Sequence, residues 1–146
     1  MEIKLEPGTY DLPSTLILDA AAVASGVWIV SDPPGAALLR LASSTDASAS
    51  GADSTPPLPL LRTAPGAPPL MLRGLQLRGS VVVNGSHATV DECAFNGGHA
   101  VEGGALAVVG ESGSVDVSNS SFTGNSATER GGAVLIDGGK AKFEGC

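Results

Sequence analysis

The chain has 146 residues, enough for one domain with its own core, and a formal net charge of −7 from 15 acidic and 8 basic residues. Phosphate backbones need clustered Lys or Arg, which this sequence lacks, so nucleic acid is not an expected partner. No run of about 18 apolar residues is present, so no membrane-spanning helix is expected.

Hydrophobic residues make up 42% of the chain but aromatics only 3%. A core built from Ala, Val and Leu suits thin, repeated layers better than one large centre. The opening, MEIKLEPGTY, has no basic start followed by an apolar stretch. It carries no signal-peptide pattern, as expected of an intracellular chain or of a fragment without its targeting segment.

Residues 1–41 read as opening strands. KLEPGTYDLPSTLIL contains a Pro-Gly turn followed by Tyr10, Leu12, Leu16 and Leu18, and GVWIVSDPPGAALLRL gives a strand, a Pro-Pro-Gly turn and a second strand. DAAAVAS between them suggests a short helical turn. Residues 42–69 read as a loop: 42–57 (ASSTDASASGADSTPP) is low-complexity and cannot bury a core, and 58–69 is Pro-rich and leads back to the ordered part.

Residues 70–146 contain internal repeats, the signature of stacked supersecondary units. Val90, Cys93 and Phe95 recur as Val117, Ser120 and Phe122, each 27 residues on. Gly103-Gly104-Ala105 recurs as Gly131-Gly132-Ala133, 28 residues on, and a third copy opens with Phe143 and Cys146. A shorter echo sets Leu72, Leu75 and Leu77 against Val90, Cys93 and Phe95, each 18 apart.

Within each repeat apolar and polar residues alternate: Ala88 and Val90 with His87, Thr89 and Asp91; Val115 and Val117 with Ser114, Asp116 and Ser118. Period two marks half-buried strands. If each repeat makes one turn and turns stack as parallel strands about 4.8 Å apart, like residues pile into columns. The interior columns predicted are Ala88/Val115/Ala141, Val90/Val117/Phe143, Cys93/Ser120/Cys146 and Phe95/Phe122. Leu106, Val108, Val134 and Ile136 face inward, and the opposite set, ending in Asp137, faces water. The expected fold is all-β: a right-handed parallel β-helix of about five turns. The chain stops inside a repeat with Phe143 exposed, which reads as a fragment that continues into further β-helix turns or self-associates at its C-terminal edge.

Cys93 and Cys146 fall two turns apart, about 9.6 Å at that spacing, beyond the roughly 7 Å limit for a disulfide. Both are expected to be buried free thiols. On the outer face the register predicts the rows Thr89/Asp116/Lys142 and Asp91/Ser118/Glu144, with Lys142 paired to Asp116. One acid per two turns reads as a solvated face, not as an acid–base pair. Glu102, Glu111, Glu129 and Asp137 lack calcium-loop spacing, and no Cys/His grouping suits zinc, so no metal or other cofactor is expected. His87 is expected to point outward without a Ser/Asp partner, and His99 to lie in a turn. Trp28 and Tyr10 could line a sugar-binding groove but are expected to pack in the first turns; Arg73 and Arg78 are expected at the surface. Asn84-Gly85-Ser86 and Asn119-Ser120-Ser121 match glycosylation sequons, which are common by chance in a Ser-rich chain.

EPGTYDL resembles the start of pectate-lyase-like β-helix domains. The repeats resemble the polymorphic outer-membrane protein type, marked by F-x-x-N and G-G-A-[ILV]. Phe122-Thr-Gly-Asn125 and Gly131-Gly132-Ala-Val134 fit both parts, Gly103-Gly104-Ala-Leu106 fits the second, and Phe95-Asn-Gly-Gly98 departs with Gly in place of Asn. The resemblance covers about half the chain. Asn125 at a bend can satisfy backbone groups that strands leave free, and the paired glycines provide positive φ or room to turn, so Phe95, Gly103, Gly104, Phe122, Asn125, Gly131 and Gly132 read as structural and no residue reads as catalytic. The resemblance implies extracellular or cell-surface display. The function it implies is a non-catalytic surface or secreted repeat module for adhesion, display or spacing, with a glycan or cell-surface partner. The alternative is a fragment of a polysaccharide lyase or glycoside hydrolase on the same fold, because this architecture hosts many functions.

Overall fold

The structure is a computed structural model, described here for residues 1–19, 25–41 and 58–146. The described residues are all-β and contain no helix. The eighteen strands among the described residues are short because apolar alternation is interrupted every few residues by Gly, Pro, Ser or Asp. They are β1 (Glu2–Leu5), β2 (Gly8–Leu12), β3 (Leu16–Leu18), β4 (Val27–Ser31), β5 (Ala37–Leu41), β6 (Leu61–Thr63), β7 (Leu70–Arg73), β8 (Leu75–Arg78) and β9 (Val81–Asn84). The second half supplies β10 (His87–Asp91), β11 (Ala94–Asn96), β12 (His99–Glu102), β13 (Leu106–Val109), β14 (Ser114–Ser118), β15 (Ser121–Thr123), β16 (Ser126–Arg130), β17 (Val134–Asp137) and β18 (Lys140–Glu144).

The strands form three long parallel sheets: β1-β4-β7-β10-β14-β18, β2-β5-β8-β11-β15 and β3-β6-β9-β13-β17. A fourth, two-stranded sheet joins β12 to β16. The chain therefore visits the first, second and third sheets in turn and returns to the first one strand further along. Each circuit adds one strand to each long sheet.

The registers give the columns expected in the second half. Ala88 pairs with Val115 and Val115 with Ala141; Val90 pairs with Val117 and Val117 with Phe143. The 18-residue echo is also a register, pairing Leu72 with Val90 and Leu77 with Phe95. The first half joins the same columns, with Ile3, Ile29 and Leu72 in one and Tyr10, Leu39 and Leu77 in another. In the third sheet Leu16, Leu61, Val81, Leu106 and Val134 align. These inward sets form one continuous core, from Leu18 to Val117. No single circuit could bury its own apolar face, so each stabilises its neighbours.

Hydroxyls that enter the core are satisfied locally. Ser86 Oγ donates to Thr63 Oγ1 at 2.6 Å, Ser80 Oγ to the Gly103 carbonyl at 2.7 Å, and Ser120 Oγ to the Ser118 carbonyl at 2.7 Å. Among the described residues no buried side-chain nitrogen or oxygen lacks a partner, as a low-dielectric interior requires.

The bend between the first and second sheets is built at the same place in successive circuits. Gly74, Glu92 and Asn119 occupy it with φ of 66°, 52° and 49°, and Gly145 takes the same conformation after β18 with φ of 65°. This left-handed conformation costs an ordinary side chain energy and is tolerated by Gly and Asn. Glu92 is therefore the strained member of the series.

The structure departs from the sequence expectations in several places. Residues 58–69 were expected to be loop, yet they hold β6, with Leu60, Leu61 and Ala67 buried. Leu61 and Thr63 face in and Arg62 faces out, a strand too short for periodicity to reveal between prolines. Residues 42–57 and most of the expected helical turn, residues 20–24, lie outside the described residues. Ala107, in the set expected to face water, is buried because the Gly103 backbone folds over it. Cys93 is a buried free thiol, but Cys146 is free and exposed. It follows β18, the outermost strand of its sheet, where Phe143 is also 40% exposed.

Candidate functional site

The outer face of the first sheet carries two columns of mostly polar and titratable side chains. The registers place Glu2, Trp28, Met71, Thr89, Asp116 and Lys142 in one outward column. Lys4, Val30, Arg73, Asp91, Ser118 and Glu144 form the next. Both expected rows are thus adjacent, but the pairing differs: Lys142 Nζ lies 3.0 Å from Glu144 on its own strand. Outward residues two apart on one strand share a face, which brings the Glu144 carboxylate to the ammonium. Asp116 acts on Lys142 only as a more distant charge.

His87 has partners that were not expected. Its Nδ1 lies 2.8 Å from Ser114 Oγ, and its Nε2 lies 3.4 Å from Thr89 Oγ1 and 3.8 Å from Asp116. The 27-residue register stacks Ser114 on His87, so the contact follows from the columns and was readable from them. His99 repeats the arrangement with Ser126 at 2.8 Å. The nearby Ser114 and Ser126 N–H groups are committed to the Ser86 and Gly98 carbonyls. They are not free to form the oxyanion site that a Ser nucleophile needs.

Asp91 is the most embedded carboxylate of this face. It accepts from Ser118 Oγ at 2.8 Å and Asn119 Nδ2 at 3.2 Å and lies 3.5 Å from Arg73 Nε. The Ser118 hydrogen bond above all, with Asn119 and Arg73 adding to it against partial burial, holds its carboxyl below the ordinary 3.8. Arg73 also meets Glu92 at 3.4 Å, so one guanidinium serves two carboxylates. On other faces Asp11 pairs with Arg40, and Glu102 and Asp137 flank Arg130. Glu111, Glu129 and Arg78 are exposed. No group of three or more His, Cys, Asp or Glu side chains among the described residues is arranged to hold a metal ion. The Cys93 thiol is pushed up to about 11, chiefly by burial, and is correspondingly unreactive.

At the other end of this face lies a groove of about 400 Å³ bordered by Glu2, Lys4, Trp28, Asp32, Met71 and Arg73. Trp28, expected to pack inside, is 37% exposed. Strand parity is the signal that would have placed it: Val27 and Ile29 face the core, so Trp28 between them faces out. Tyr10 is half-buried against the core, and its hydroxyl donates to the Glu6 carbonyl at 2.9 Å. Of the two sequons, Asn119 is exposed, whereas Asn84 is half-buried with Ser86 buried.

The repeat residues act in the packing. The Phe95 and Phe122 rings stack with centroids 4.9 Å apart and planes 5° apart, and Phe143 meets Phe122 edge-on at 6.1 Å. Asn125 reaches one circuit back: its Nδ2 donates to the Phe95 carbonyl at 2.9 Å, and its Oδ1 accepts from Gly98 N–H at 2.8 Å. Gly98, the departure from the motif, has no room for a side chain, since a Cβ there would lie 2.2 Å from the Gly104 carbonyl oxygen. The double glycines serve close approach as well as turning. A Cβ at Gly103 would meet the Leu106 oxygen at 2.5 Å, and at Gly131 the Val134 oxygen at 2.5 Å. A Cβ at Gly104 would lie 2.1 Å from the Gly132 oxygen, but at Gly132 it would meet only the Asn125 oxygen at 3.8 Å.

The fold and face together define an all-β protein of parallel sheets with stacked sequence repeats. No family model, curated protein or solved structure matches this chain.

Proposed function

We propose that this chain is a right-handed parallel β-helix of the pectate-lyase-like kind, with repeats of the polymorphic outer-membrane protein type. On this reading it serves as a non-catalytic surface or secreted module for adhesion, display or spacing. The observation that carries the reading is the column structure: like residues superimpose circuit after circuit, at 26- to 28-residue intervals in the second half. Such an assembly makes a rigid, extendable rod that presents side chains in rows. Right-handedness follows from the general rule that crossovers between parallel strands take that hand in about 98% of cases.

Two features favour display over catalysis. The outward carboxylates of the first sheet are engaged with Lys, Arg, Ser or His neighbours. The repeat-defining residues are committed to packing and backbone satisfaction. The partner of such a module is a glycan or a cell-surface component, and its setting is extracellular or at the cell surface.

The test couples two assays. Beads coated with the chain should be retained on glycan-bearing cell surfaces. Incubation with polygalacturonate, xylan and β-glucan should release no reducing or unsaturated ends. Release of either product would overturn the reading in favour of a polysaccharide lyase or glycoside hydrolase.

A further inference from the structure

The alternation that governs the first sheet fails at one place. Outward positions in β10, β14 and β18 are polar: Thr89, Asp91, Asp116, Ser118, Lys142 and Glu144. In β4 and β7 the corresponding outward column instead carries Trp28 and Met71, vertical neighbours by register. An indole spends surface exposure poorly unless something covers it. It stands 37% exposed in an open groove of about 400 Å³ whose rim holds Glu2, Lys4, Asp32 and Arg73.

The rim chemistry narrows the ligand. The rim carries two carboxylates and two cations, and Asp91 and Glu92 beside Arg73 add two further carboxylates. Lys4 is held 3.7 Å from Glu2, and Arg73 lies between Asp91 and Glu92. A polyanion would have to break those pairs against an excess of carboxylates, and a free cation would have to enter between Lys4 and Arg73. What remains is a flat apolar platform with donors and acceptors around its edge, the arrangement that suits a ring with one apolar face and equatorial hydroxyls. We propose that the Trp28 groove binds a neutral hexopyranose unit of a glycan. The sugar's C–H face lies on the indole, and its hydroxyls meet the carboxylates and cations of the rim. This deepens the adhesion reading given above and rests on it for the biological setting, but not for the binding itself.

Trp28 is the sole tryptophan in the chain, so its emission reports the site directly. Neutral gluco- and manno-oligosaccharides titrated to about 10 mM should change Trp28 emission saturably. In labelled protein they should shift the Trp28 indole N–H and Met71 methyl resonances and leave those around Lys142 in place. By calorimetry, Trp28→Ala should weaken binding at least about tenfold, while Lys142→Ala, at the far end of the same column, should leave it unchanged. An oligogalacturonate of equal length should bind more weakly than the neutral sugars. Absence of a saturable change with every neutral sugar, shifts scattered away from the groove, or tighter binding of the galacturonate would each overturn the proposal. The resonance shifts are read on the unaltered chain, so they decide the matter even if Trp28→Ala fails to fold. If the beads adhere but the groove is silent, the groove fails and the adhesion reading stands. If the groove binds but the beads do not adhere, the reverse holds.

Discussion

Removing the Phe95 ring tests the column packing at its centre. Phe95 is fully buried, with Leu77 on one side in register and Phe122 stacked at 4.9 Å on the other. Truncating a buried Phe to Ala costs about 3–5 kcal/mol through lost transfer energy and the cavity left behind. Both neighbours are held by their own strands, so collapse is limited and the upper half of that range applies. Phe143, at 40% exposed in the outermost strand, buries far less and should cost about 1 kcal/mol when truncated. A double-mutant cycle with Phe122→Ala should return a coupling of about 0.5–1.5 kcal/mol for the ring pair. Urea unfolding followed by circular dichroism gives all four corners. Equal losses for Phe95→Ala and Phe143→Ala, or zero coupling between Phe95 and Phe122, would refute the stacked arrangement.

Four further predictions follow from the backbone and the titratable groups. Gly104→Ala should destabilise by about 3 kcal/mol, because its Cβ would meet the Gly132 and Ser126 oxygens at 2.1 and 2.4 Å. Gly132→Ala, with only a 3.8 Å contact, should stay within about 0.5 kcal/mol; thermal melts distinguish the two. Glu92→Gly should stabilise by up to about 1 kcal/mol, because relief of the left-handed conformation exceeds the added chain entropy and the loss of the exposed Arg73 ion pair. A lower melting temperature would contradict it. The folded Asp91 carboxyl titrates below 3.8, so its contribution is full above the unfolded value and is lost as pH falls through the folded one. Asp91→Asn should therefore flatten the loss of urea resistance between about pH 5 and pH 2; an unchanged slope would count against it. Native protein at about pH 8 should react with a thiol reagent at the exposed Cys146 and not at buried Cys93, with the second thiol appearing only in denaturant.

The second half was legible because its repeats are nearly constant in length. A 27-residue offset fixes the registers of β10 on β14 and of β11 on β15, and the columns follow from alternation alone. The first half was harder to read. Residues 42–57 separate β5 from β6, and a three-residue strand flanked by Pro leaves no periodic signal. The burial of Ala107 and the steric demand on Gly98 arise where a neighbouring segment folds across a face, which a single strand's pattern does not encode. Trp28 and His87 are different cases. Parity places the first outside, and register stacks Ser114 on the second. Both follow from the pattern, against the general tendency of an aromatic to be buried and of a lone His to stand unpartnered.

Nuclear Overhauser contacts among side chains of the first sheet give the most direct test of the vertical order. Val90 methyls should contact Val117, and Val117 methyls should contact the Phe143 ring, with no contact from Val90 to Phe143 across the intervening strand. A direct Val90–Phe143 contact, or the absence of both neighbouring contacts, would contradict the stacking on which the fold and its proposed role depend.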